Sequence, residues 1–287
     1  MRPKHRPFDP VAVLSLAALA ALLAAGCHPK PKRPEQVVFV QGLSADEIEA
    51  QHPLTDAARA ELTPENVETL SQWELDQLYA RLTAGPIPDG PYQGRFFFAE
   101  GGGPRKLSEA VGGLPGRVLD VKLEKLDRLG EALWKGKVFY KSDLLLRNMI
   151  DNEDVLADVF GVAPDRLRRA NVGGRQVALL FPAALSCGES LFDPRRESVI
   201  IDYANTDEID GYVEEIDHLA GRDSLAIRDE IRIVRPGFYL GRAYARERLL
   251  LTFTLYQEEA AGASGMPAEE CRTGAEPPAG DAAHPVV

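Results

Sequence analysis

The chain has 287 residues, 45% hydrophobic and 27% charged, a globular composition that excludes wholesale disorder. Its 33 Lys and Arg against 44 Asp and Glu leave a net charge of −11, which argues against a general nucleic-acid binder. Five His and three Cys are too few and too scattered for a zinc ribbon or a haem protein.

Arg2, Lys4, His5 and Arg6 open the chain, and Val11 to Gly26 is then apolar except for Ser15. A helix of that length rises about 24 Å, short of the roughly 30 Å hydrocarbon core, so residues 1–26 read as a secretory signal and not as a permanent span. Leu23-Ala24-Ala25-Gly26-Cys27 resembles the lipobox of bacterial lipoproteins. The resemblance implies cleavage before Cys27 and a diacylglyceryl group on its thiol, and therefore a protein of the bacterial cell envelope anchored to membrane by acyl chains. Ala24 stands where Leu is commoner. His28, and not the Asp that retains some lipoproteins at the inner membrane, follows the cysteine, which favours the outer membrane, facing the periplasm. Loss of Arg2, Lys4, Arg6 and Asp9 with the signal moves the net charge from −11 to about −13, so charge alone would not hold the mature chain to anionic lipid.

Residues 27–36 (Cys27 and the run His28-Pro29-Lys30-Pro31-Lys32-Arg33-Pro34-Glu35) form a Pro- and Lys-rich tether, extended and semi-rigid. Residues 37–90 read as a helical segment packed on a larger body. Ser44-Ala45-Asp46-Glu47 is a capping box, and its helix should end near His52-Pro53. Thr63-Pro64-Glu65 opens a helix in which Leu70, Leu75, Leu78, Tyr79 and Leu82 make one apolar stripe and Gly85 ends it. A third helical stretch is expected over Leu119 to Ala132.

Residues 91–257 read mainly as strands: Tyr92–Phe98, Leu133–Tyr140, Asp143–Ile150, Gln176–Pro182, Cys187–Phe192, Ser198–Tyr203, a strand from Ile227, Phe238–Arg246 and Leu249–Gln257. Ile227, Asp229, Ile231 and Ile233 alternate with Arg228, Glu230 and Arg232 before the Pro236-Gly237 turn. Connections this short force antiparallel pairing, and eight or nine strands favour closure. The expected fold is therefore mainly β: an antiparallel lipocalin-like barrel preceded by N-terminal helices. Residues 258–287, rich in Ala, Gly, Pro and Glu, read as a mostly disordered tail.

Trp134-Lys135-Gly136-Lys137-Val138-Phe139 is similar to the core of the bacterial GXWXG proteins, with Ala132 in place of the leading Gly. Arg195–Tyr203 and Ile227–Arg232, followed by Pro236–Arg242, resemble an uncharacterised group of bacterial envelope proteins. These resemblances imply a calycin-type barrel and carry no catalytic residue. In such a barrel Trp134 either plugs the closed end, under Arg242 or Arg246, or stacks on a ligand. Asp229, on the isoleucine face, needs a partner such as Arg242 or a polar cavity. Arg228, Glu230 and Arg232 read as a solvated outer face. Asp202, Tyr239 and Tyr244 complete the candidate lining residues. Once Cys27 is acylated, Cys187 and Cys271 remain, and outside the cytoplasm they either bridge, tying the tail to the barrel wall, or stay as free thiols.

No motif commits the chain to catalysis. Asp217-His218 lies in a loop without a nucleophile elbow, Ser186-Cys187-Gly188 lacks one too, and Gly101-Gly102-Gly103 lacks a P-loop Lys. No cofactor or metal set is assembled by His28, His52 and His284 in the flanks. The expected function is an envelope lipoprotein whose barrel takes an apolar or lipid-like small molecule. The alternatives are a non-catalytic scaffold for an envelope partner or, further off, a hydrolase using Asp202, Asp229 or His218.

Overall fold

Period-two alternation after residue 90 produces nine strands, β1 (Gly90–Phe97), β2 (Trp134–Tyr140), β3 (Leu145–Ile150), β4 (Arg168–Val172), β5 (Arg175–Glu189), β6 (Glu197–Asp202), β7 (Ile227–Arg235), β8 (Phe238–Ala245) and β9 (Arg248–Tyr256). They are seen in a computed structural model that describes residues 31–97, 134–151, 161–263 and 265–274; the helix expected over Leu119 to Ala132 lies outside these. All pairings are antiparallel, in the order β3-β2-β1-β9-β8-β7-β6-β5-β4, and β3 also pairs with β5. That last pairing closes eight strands into a barrel, with β4 outside the ring against the first part of β5.

Two details of the strands differ from the sequence reading. The segments expected as separate strands on either side of Ala183 are one strand, β5, which bends at Phe181 (φ 49°) where a bulge lets it pass from β4 to β6. β4 itself was not anticipated. It joins β5 through Gly173-Gly174, both at positive φ, as a two-residue hairpin turn of the primed kind requires.

The lumen is packed from every wall. Tyr92, Phe139, Leu146, Leu185, Val199, Ile201, Ile231, Ile233, Tyr239, Phe253 and Leu255 form one buried cluster, in which the Tyr92 ring meets Phe139 and Tyr239 edge-on at 5.6 and 5.8 Å. One barrel end is covered by the chain leading into β1. Thr83 bridges to Ile233, the Tyr239 hydroxyl donates to the Pro86 carbonyl at 2.8 Å, and the Cys271 amide donates to the Gly85 carbonyl at 2.7 Å. Residues 265–274 cross the same end, held by the Cys187–Cys271 disulfide (Cα–Cα 5.3 Å) and by Lys141 to Glu269. The tail is therefore structured as far as residue 274, where composition suggested disorder: Glu258–Ala261 forms a short helix and the disulfide straps the rest to the wall.

Helices α1 (Ala45–Gln51), α2 (Asp56–Glu61), α3 (Pro64–Val67) and α4 (Gln72–Ala80) precede the barrel. The single helix expected from Thr63 to Gly85 is two, because Ser71 and Glu74 build a second capping box that restarts the chain. α4 lays Leu75, Leu78 and Tyr79 on the outer wall, against Val234, Phe238 and Leu240.

Gly136 is a steric keystone of the barrel wall. Gly136 sits at φ 129°, and a Cβ there would lie 2.0 Å from the Tyr92 carbonyl oxygen and 2.6 Å from the Gly94 nitrogen. Both are backbone atoms, so nothing flexible can yield. Gly136→Ala is expected to cost about 3 kcal/mol or more in urea unfolding. A loss under about 1 kcal/mol would contradict the close approach of β1 and β2.

Candidate functional site

The register of β2 changes phase between Trp134 and Gly136, with one extra residue opposite β3. Simple alternation from Trp134 would send Lys137 out of the barrel. The bulge instead places Trp134 and Lys137, three residues apart, both on the lumen side. Gly94 on β1 makes room for the indole: a Cβ there would lie 2.3 Å from the ring.

Lys137 is only 2% exposed, and its ammonium lies among three oxygens: Asn148 Oδ1 at 2.9 Å, Tyr203 OH at 2.6 Å and Asp229 Oδ2 at 2.9 Å. Three donors meet three acceptors, so the group is fully satisfied. The network extends through the neighbouring side chains. Trp134 Nε1 donates to Asn148 Oδ1 (2.8 Å), Asn148 Nδ2 donates to Tyr203 OH and to the Phe181 carbonyl (both 3.1 Å), and Tyr203 OH donates to Asp229 Oδ2 (3.1 Å). The rings of Trp134, Tyr203 and Phe253 surround the ammonium, with centroids at 5.6, 5.4 and 5.3 Å. Burial pulls the Lys137 amine below its ordinary range, with Asp229 opposing; burial, then Asp229, pushes the Tyr203 phenol well up. So dense a set of buried hydrogen bonds rigidifies the lumen and gives it a polar floor.

The register places this floor toward the barrel end formed by the finish of β1 and the starts of β2, β7 and β9. Phe96, Trp134, Ile227 and Leu251 occupy that end, half-buried, and Phe181 at the β5 bend is half-buried beside them in the same cluster. Phe96 meets the Trp134 ring at a tilt and Phe253 meets it edge-on, at 6.0 and 5.9 Å.

The other sequence candidates divide by face. Tyr239 points into the lumen, and burial pushes its phenol up. Asp229 is lumenal but is paired with Lys137, not with Arg242. Arg242 and Tyr244 lie on the outer face of β8, because alternation from lumenal Tyr239 and Ala243 turns them outward. Arg242 stacks on Tyr79 and Phe192 (4.5 and 4.1 Å) and binds Asp76 at 2.5 Å, so it cannot cover Trp134; Lys137 takes that place. Asp202 is outward too, its carboxylate accepting the Ala204 amide at 2.8 Å.

The outer charged face of β7 is not solvated. Glu230 and Arg232 are 0% exposed, sealed beneath α4 and the 190–192 turn. Glu230 accepts Ser190 Oγ (2.6 Å) and the Leu191 amide (2.8 Å); Arg232 donates to Ser198 Oγ (3.0 Å) and the Tyr79 carbonyl (3.1 Å) over the Tyr79 ring. Alternation fixed the face but could not show that another element covers it.

Asp217 does not act with His218. Its two oxygens accept the amides of Phe181 and Val213, both at 2.7 Å, clamping the loop after β6 to the β5 bend, while His218 Nδ1 lies 2.5 Å from the Glu214 carbonyl. Burial raises the Asp217 carboxyl to about 6. Its protonated form is thus favoured in the fold, so its contribution is full below the unfolded value near 4 and is lost as pH rises through 6. The stability of the wild type relative to Asp217→Asn is expected to fall by about 2–3 kcal/mol between about pH 4 and pH 7. A flat difference in urea midpoints would contradict this.

Among the described residues, no group of His, Cys, Asp and Glu is placed to hold a metal ion, and no helix is long and apolar enough to cross a membrane. Fold and site together define a closed antiparallel β-barrel of lipocalin-like form with a polar plug in its lumen. No family model, no curated protein and no solved structure matches the chain.

Proposed function

We propose that the chain is an acyl-anchored lipoprotein of the bacterial cell envelope, held at the outer membrane facing the periplasm. Its barrel takes one small apolar or lipid-like molecule at the end above the Lys137 floor. The observation that carries this reading is the cluster of half-buried Phe96, Trp134, Phe181, Ile227 and Leu251 over a hydrogen-bonded polar base centred on Lys137. Ligand sites combine such apolar walls with a few fixed polar groups. The Leu23–Cys27 lipobox and the likeness of Trp134–Phe139 to the GXWXG proteins support the envelope assignment and the barrel class.

N-phenyl-1-naphthylamine, an apolar fluorophore, tests it in a Trp73→Phe chain, where Trp134 is the remaining tryptophan. Saturable energy transfer from Trp134 is expected, weakened at least about tenfold by Leu251→Glu, which puts a charge on the apolar wall. Transfer that never saturates would overturn the reading. The second reading, a solid scaffold for an envelope partner, is favoured by the dense packing of the lumen around Tyr92, Phe139 and Tyr239.

A further inference from the structure

Four large apolar side chains stand exposed among the described residues, and the two most exposed, Val38 (45%) and Trp73 (39%), belong to neighbouring segments. The run through Val40 is pinned to α4 by Gln77, which accepts the Val40 amide at 3.1 Å and donates to its carbonyl at 2.6 Å. Phe39 meets the Trp73 ring edge-on at 6.3 Å. The chain enters the fold at the same place. Arg33 is ion-paired to Glu74, the residue after Trp73, and the Glu35 and Gln36 amides are held by the Glu61 carboxylate at 2.7 Å each.

Six residues carry the chain from Cys27 to Arg33 inclusive of Arg33. Fully extended, they span at most about 20 Å. An acyl group on Cys27 therefore keeps Arg33, and with it Trp73, within about one headgroup layer and a tether's length of the bilayer. Tryptophan, amphipathic and rigid, is the side chain best suited to the membrane interface.

We infer that Trp73 and Val38 form the membrane-docking face, seated in the interfacial layer of the bilayer that holds the acyl chains, so that the barrel stands on the membrane in a fixed orientation. This rests on the lipoprotein reading above. It is independent of whether the lumen takes a ligand.

The test uses the full mature protein purified from host membranes, with its intact mass recorded, then reconstituted in phosphatidylethanolamine/phosphatidylglycerol vesicles containing shallow-brominated acyl chains. Bromine quenching and a blue shift of tryptophan emission are expected in the wild type and are lost in Trp73→Phe, where only lumenal Trp134 emits. An acylated mass with emission unquenched overturns the docking face alone. Quenching that persists in Trp73→Phe overturns it too, since bromine then reaches Trp134. A blue shift that grows with protein concentration but shows no quenching assigns the patch to a second copy of the chain and also overturns it. A mass without acyl chains overturns the lipoprotein reading, and the docking face falls with it.

Discussion

Lys137→Met is expected to lower the unfolding free energy by about 3–5 kcal/mol, because it strands the buried Asp229 carboxylate. The loss has two physical parts. Asp229 and Tyr203 lose a charge-assisted partner, and Asn148 Oδ1 keeps only the Trp134 donor. The large cost comes from the uncompensated charge and not from the removed contact. Lys137→Met combined with Asp229→Leu should therefore recover most of the stability, since apolar replacement of an entire buried pair is often neutral. Urea unfolding of the two single variants and the double variant measures this directly. If the double variant is as unstable as the sum of the singles, the pair is not coupled and the lumen plug is wrongly described. Lys137→Gly offers a sharper check: the cage of Trp134, Tyr203 and Phe253 should then accept ethylammonium, raising stability with added amine where an uncharged alcohol does not.

The second large effect lies at the other end of the barrel. The Cys187–Cys271 bond closes a separation of 84 residues and is expected to contribute about 4 kcal/mol in the chain-entropy description. Cys187→Ser with Cys271→Ser, or reduction of the wild type, should lower the urea midpoint accordingly. The strap over residues 265–274 would then be held by the Cys271 backbone amide on the Gly85 carbonyl at 2.7 Å and by two exposed contacts of small worth, Lys141 to Glu269 and the Thr273 amide on Glu197 at 2.7 Å. Unchanged midpoints on reduction would mean that the strap adds nothing to the closed end.

The sequence carried the closed antiparallel wall because β7 alternates plainly from Ile227 to Ile233, before the bulge at Val234 and the Pro236-Gly237 turn into β8. It carried the burial of Asp229 for the same reason, since a carboxylate in phase with Ile227, Ile231 and Ile233 has to face inward. The partner was missed. Lys137 is brought inward by a bulge, and a bulge inverts the phase on which such reasoning depends. Gly136 was the available signal, because glycine inside a strand marks a bulge or a close backbone approach, and here it marks both. Gly173-Gly174 was likewise a legible hairpin signal for β4.

The reading of Arg232 and Arg242 failed differently. The stripe on α4 shows that the helix packs on something and the charges on β7 show an outward face, whereas Arg242 was expected in the lumen, over Trp134 or beside Asp229. Nothing in either segment states that the two meet, because that contact joins residues 153 to 166 positions apart. Both arginines are buried by stacking on Tyr79, a residue whose helical spacing marked it only as apolar.

Native mass spectrometry of the mature protein, released gently from its host envelope, tests the central proposal most directly. The account predicts a chain beginning at Cys27, heavier by its acyl groups, with a second species carrying one small apolar guest that is lost in Leu251→Glu. A chain with a free Cys27 thiol, or an acylated chain that never carries a guest, would contradict it.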